Sequence, residues 1–191
     1  MQRHNLVKSD REVVDITFLT GSISLLVADS AGTVAQWFPV RDAENNHVLT
    51  HIRQFDNAGV SPRAIAIEHN RKGFAIADSE GGLNIFHTTA GPNVLTTQIA
   101  EVGLSRVVFG PRANALLLED EAGQMHFWHV ENEYPEISWN SLWGKVWYES
   151  YPEPDYIWQS SSASNDFEPK FSLTPISFGT IKAAFYAMLI A

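Results

Sequence analysis

Between Val13 and Val130 the apolar positions fall in short runs divided by polar turns: VVDITF, SLLVAD and TVAQWF, then AIAIE, GFAIAD and LNIFH, then RVVFG, ALLLED and QMHFWHV. Runs this short, rich in Val, Ile, Leu and Ala and closed by Asp and Gly, predict β-strands rather than helices. Aligning the chain on Asp-x-x-Gly superposes Asp29 and Gly32, Asp78 and Gly81, and Asp120 and Gly123. In every copy an aromatic follows the Asp by eight positions: Trp37, Phe86 and Trp128. An apolar residue precedes it by thirteen: Ile16, Ile65 and Val107. The copies are spaced 49 and then 42 residues apart, and the extra length lies in the polar stretch Arg41 to Asn46.

Each unit reads as two short strands, a turn carrying Asp and Gly, and a third strand ending on a large aromatic, which is an antiparallel meander. The Gly suits a turn position of positive φ, and the Asp carboxylate can cap the N–H groups of that turn. Strands apolar on both faces cannot bury themselves within one unit, so neighbouring units must stack. In strand content, aspartate turn and closing aromatic, residues 10–130 resemble the WD40-like β-propeller repeat, although the usual Gly-His and Trp-Asp pairs are absent. The resemblance implies a mainly β fold, a partial propeller of three blades; an ordinary antiparallel sandwich is the alternative. Propellers close with about 4 to 8 blades. Three blades therefore imply further blades before residue 1, association of copies, or sheet edges covered in another way.

Past residue 130 the pattern changes. Residues 131–170 form an acidic, Trp-rich connecting segment with eight carboxylates and two lysines, carrying −6 of the chain's net charge of −9. Trp139, Trp143 and Trp147, spaced by four, predict one helix of about three turns capped by Ser138 or Asn140. Its Trp stripe suits a membrane interface or, equally, packing on the repeat domain. Ser160 to Asp166 reads as a linker. Residues 171–191 then run apolar for nine positions after Lys182, as the start of a transmembrane helix would, with a docking helix as the alternative.

The segment WNSLWGKVWYESYPEP and the later FSLTPISFGT resemble the first extracytoplasmic loop and second membrane helix of the permease subunits of phosphate-specific (Pst-type) ABC transporters. The residues that carry this are Leu142, Trp143, Trp147, Glu153 and Pro154, then Leu173, Pro175, Gly179 and Thr180. The resemblance implies an inner-membrane protein whose repeat domain is periplasmic. It would support phosphate import by docking a second permease, an ATPase or a solute-binding protein, with the membrane reached through the C-terminal helix. A WD40-like protein-interaction scaffold unrelated to transport is the alternative.

The remaining composition narrows the chemistry. A net charge of −9 opposes a nucleic-acid partner. The absence of cysteine removes thiol chemistry and disulfides. No phosphate-binding loop or nucleophile elbow occurs, His126 and His129 fall on opposite strand faces, and His47 and His51 lie in a polar loop. The expectation is a chain that is no enzyme, with no catalytic residue, metal site or cofactor, in which Asp29, Asp78 and Asp120 are structural.

Overall fold

The computed structural model describes residues 5–70, 72–91, 93–131, 134–159 and 168–190. Three antiparallel meanders follow one another along the chain. The first blade is β1 (Val13–Phe18), β2 (Leu25–Asp29), β3 (Thr33–Arg41) and β4 (His47–Asp56). The second is β5 (Pro62–Ile67), β6 (Gly73–Asp78), β7 (Gly82–His87) and β8 (Asn93–Gln98). The third has three strands, β9 (Leu104–Phe109), β10 (Ala115–Asp120) and β11 (Met125–His129). The first strands of the blades stand beside one another, β1 against β5 and β5 against β9.

The aspartate of each repeat builds the turn between the second and third strands. Asp29 Oδ1 accepts from the backbone N–H of Ala31 and Thr33, each at 3.0 Å. Asp78 Oδ1 accepts from Glu80 at 3.0 Å and Gly82 at 2.8 Å, and Asp120 Oδ1 from Ala122 at 3.0 Å and Gln124 at 2.8 Å. One short side chain thus satisfies two turn donors that the strands cannot reach. The glycine three residues on has positive φ in every copy, as the turn requires.

The core consists of two layers between blades. Leu26, Ala28, Val34 and Phe55 of the first blade meet Phe74, Ile76 and Phe86 of the second. On its other side the second blade presents Ala66, Ala75, Ala77, Leu83 and Ile85 to Leu104, Val107, Phe109, Leu116 and Leu118 of the third. Every residue of β6 and β7 is consequently buried, because the middle blade is covered on both faces.

The connecting segment departs from its expected form. Helix α1 spans only Trp139–Trp143, with Ser138 as its N-cap in a capping box with Ser141. Gly144 ends it in an extended conformation, its N–H donating to Asn140 O, and the Asn140 side chain fills the space a Cβ would occupy there. The three-turn helix through Trp147 is therefore not formed. Val146 and Asp155 pair as an isolated bridge, and β12 (Trp158–Gln159) pairs with β13 (Lys170–Phe171). The expected linker Ser160 to Asp166 lies outside the described residues.

Helix α2, Thr174–Ile190, has 17 residues and buries none of them. Among the described residues no helix is long and apolar enough to cross a membrane, so the expected transmembrane segment is not supported.

Candidate interaction surfaces

The repeat gives each blade two faces of fixed composition. Counted from the aspartate, positions −13, −11, −4, −2 and +8 face the preceding blade; in the second blade these are Ile65, Ile67, Phe74, Ile76 and Phe86. Positions −3, −1, +5 and +7 face the following blade, as Ala75, Ala77, Leu83 and Ile85 do. The alternation follows from the period of two along each strand.

At the ends of the stack the third blade has one face open, and the first has its opposite face open at Ile16 and Phe18 while Val27 and Ala35 are covered. On the first blade the register aligns Ile16, Val27 and Ala35, and beside them Phe18, Leu25 and Trp37. Phe18 is 56% exposed, and the Trp37 ring meets His51 edge to face at a centroid distance of 5.0 Å. On the third blade Val108, Leu117 and Phe127 form a row across β9, β10 and β11, next to Met125. Phe127 is 72% exposed. Arg106 and Glu119, 3.5 Å apart, add an ion pair to this face, at a register position where the other blades carry Ala28 and Ala77.

The closing aromatics of the repeat thus have three different surroundings. Phe86 is buried between blades, Trp37 is half-buried at the outer face of the first blade, and Trp128 lines a cleft of about 460 Å³ between β8 and β11. Leu83, Ile85, Val94, Leu95, Phe109 and Leu116 supply much of the remaining wall, with Glu68, His129 and Glu131 as its ionisable members. Among the described residues the third blade has no fourth strand, and the cleft lies where one would stand. Phe55 on β4 is 3% exposed against the second blade, whereas Leu95 on β8 is 40% exposed facing the cleft.

The acidic segment is held to the blades by buried charge. Lys72, preceding β6, places Nζ 2.6 Å from Glu149 and also donates to Thr20 O. Arg53 on β4 donates to the carbonyls of Thr88 and Trp147, and burial lowers its pKa from the ordinary value. Glu149 N donates to Glu168 at 3.4 Å. Burial, reinforced by the Glu149 charge, pushes the Glu168 carboxyl up to about 7. Lys170 lies over the rings of Tyr148 and Tyr151. Of the three predicted interfacial tryptophans, Trp139 and Trp143 are exposed, but Trp147 packs on Phe38 of the first blade and donates from its indole to Tyr151 O at 2.8 Å.

Three interactions were not legible from spacing alone. His126 Nε2 lies 2.9 Å from Asp120 Oδ2, and this hydrogen bond, with those from the turn, lowers the Asp120 pKa. His129 lies 3.4 Å from Glu131 instead, so the two histidines do not converge. Arg11 pairs with Asp29 at 2.7 Å in the first blade. Among the described residues no three His, Asp or Glu side chains converge in a metal-binding group.

No protein-family model matches the chain, and no curated protein matches it in sequence. Its fold is similar to solved propellers. The β-propeller domain of Cps50 (Swd1) from Myceliophteria thermophila aligns with TM-score 0.53 and 15% identity over 62% of this chain and 38% of that one. A chain of the mitotic checkpoint complex aligns with TM-score 0.53 and 15% identity over 69% of this chain and 39% of that one. The fold is therefore mainly β, a partial WD40-like propeller, and the chain spans less than half the length of these neighbours. The phosphate-permease reading, with its transporter subunits and its inner-membrane, periplasmic placement, is overturned. The structural neighbours are propellers, and no described helix spans a membrane. Leu142, Trp143 and Trp147, which carried that resemblance, instead belong to the segment packed beside the blades: the Leu142 carbonyl accepts from Leu173 N at 2.8 Å.

Proposed function

We propose that the chain is a non-catalytic protein-interaction scaffold that works by blade-on-blade stacking, and that its first partner is a second copy of itself. The observation that carries this is the pair of open faces. On the face that the other two blades bury against a predecessor, the first blade leaves Ile16 and Phe18 exposed beside the covered Val27 and Ala35, and on the face that the others bury against a successor the third leaves Val108, Leu117 and Phe127 exposed. Each copy therefore presents both halves of an interface that the chain already builds twice, and the contact is head-to-tail. Two copies would bring together six blades, within the range in which propellers close. The repeat aspartates support a non-catalytic role, because Asp29, Asp78 and Asp120 spend Oδ1 on turn N–H groups.

The test is sedimentation of the chain, of Phe18→Lys and of Phe127→Lys, and of an equimolar mixture of the two variants. The wild type is expected to be a dimer and each variant a monomer with unchanged circular dichroism. The mixture regains a dimer, since one copy contributes an intact leading face and the other an intact trailing face. A monomeric wild type, or association that survives both substitutions, overturns the proposal.

A further inference from the structure

A different part of the third blade shows a second kind of surface, separate from the stacking faces. In the first two blades the third strand is covered along its outer edge by a fourth, β3 by β4 and β7 by β8. In the third blade β11 is the edge of its sheet. Asp120 N donates to Gln124 O at 3.0 Å, and Val130 N donates to Asn114 O at 2.9 Å. With the register between them, these bonds direct the backbone of His126 and Trp128 toward β10. The N–H and C=O groups of Met125, Phe127 and His129 then point outward, along the free edge.

We infer that this edge accepts an extended segment of a partner protein as the missing fourth strand of the blade, with its side chains entering the cleft beside Trp128. A strand paired to β11 places the residue opposite Trp128 on the same sheet face as that ring, which is the cleft side. The cleft is shaped for apolar side chains, its walls being Val94, Leu95, Phe109, Leu116 and Trp128. Among the described residues the ionisable lining is the buried and already engaged Glu68, and the exposed Glu131, which lies 3.4 Å from His129. The chain as a whole carries −9. The exposed Glu131 carboxylate and the net charge select the chemistry of the guest: a strand alternating apolar and small polar residues, flanked by Lys or Arg rather than by acids. An exposed edge is otherwise a liability, and β11 carries neither Pro nor Lys to blunt it.

The test is amide hydrogen exchange on the full chain with a synthetic peptide probe in which Val and Thr alternate between paired lysines. Protection is expected at the amides of Met125, Phe127 and His129, and not at the already bonded His126 and Trp128. Glu131→Lys, at an exposed position, is expected to weaken the peptide by about tenfold without changing the fold. Trp128→Ala is expected to weaken it at least as much, with wild-type exchange in β6 and β7 as the check on folding. Absence of protection at the three outward amides overturns the inference. So does equal protection by a peptide carrying Pro at its centre, which cannot complete the ladder. Failure here leaves the dimer test unaffected, since that test uses the other surfaces.

Discussion

At the residue scale the glycines of the three turns make the sharpest comparison. Gly81 has φ +86° and Gly123 has φ +80°, so Ala is strained at both. A Cβ at Gly81 would also lie 2.2 Å from Ala100 O, in the chain leaving the fourth strand, whereas Gly123 has nothing within 4 Å. Gly123→Ala should therefore cost about 1 kcal/mol, the conformational penalty alone, and Gly81→Ala several times more, as read from urea midpoints. Glu168 gives a prediction of different sign from an ordinary surface carboxylate. Its pKa rises from 4.5 in the unfolded chain to about 7 in the folded one, because it is buried and faces the Glu149 charge. Between those values the unfolded chain releases the proton while the folded chain keeps it, so stability falls as pH rises through that window and is level above it. Denaturation near pH 5 and near pH 7.5 should show a drop that Glu168→Gln abolishes. Asp120, whose pKa is lowered chiefly by His126, acts in the opposite direction and at lower pH, outside that window.

At the element scale each strand owes its stability to where its blade sits in the stack. The central strands of the middle blade are covered on both sides, and Ile76 has no exposed surface. Ile76→Ala is expected to cost about 2–5 kcal/mol of unfolding free energy. Leu117 occupies the equivalent strand of the third blade on an open face, so Leu117→Ala should cost the monomer under about 1 kcal/mol and weaken self-association instead. Thermal unfolding and sedimentation of the two variants separate the effects. The strands themselves were readable from the runs of apolar residues, as was the turn chemistry at Asp29, Asp78 and Asp120. The helix at Trp139 was read too long, because a spacing of four marks a face only while the backbone remains helical. Gly144 and the returning Asn140 side chain end it after five residues. The fourth strands β4 and β8 were the harder elements, and β4 takes in His47 and His51, which were expected in a polar loop. Their mixed sequences HVLTHIRQFD and NVLTTQ lack the apolar run that marks the other strands, since a peripheral strand is covered on fewer sides.

At the scale of the whole molecule, the acidic segment and the blades are joined by a contact between residues distant in sequence. Lys72 and Glu149 are 77 positions apart and nearly fully buried at 2.6 Å. Removing one partner leaves the other charge unpaired in the interior, so Lys72→Met is expected to cost about 3–5 kcal/mol of segment docking. Limited proteolysis should then cut within residues 134–159 faster, while exchange in β6 and β7 stays slow. By itself the sequence determined the repeat, its aspartate turns and the alternation that gives every blade two apolar faces, because these depend on neighbours within a few residues and on a period of two. It did not determine which faces are covered. Trp37, Phe86 and Trp128 occupy one repeat position, yet one is half-buried at the end of the stack, one lies in the core and one beside a cleft. Only the tertiary structure decided that, because burial depends on which blade stands next in the stack and whether a fourth strand is present. The apolar run after Lys182 has the same ambiguity: composition describes its side chains, whereas the length of the helix and the surroundings of its faces belong to the folded molecule.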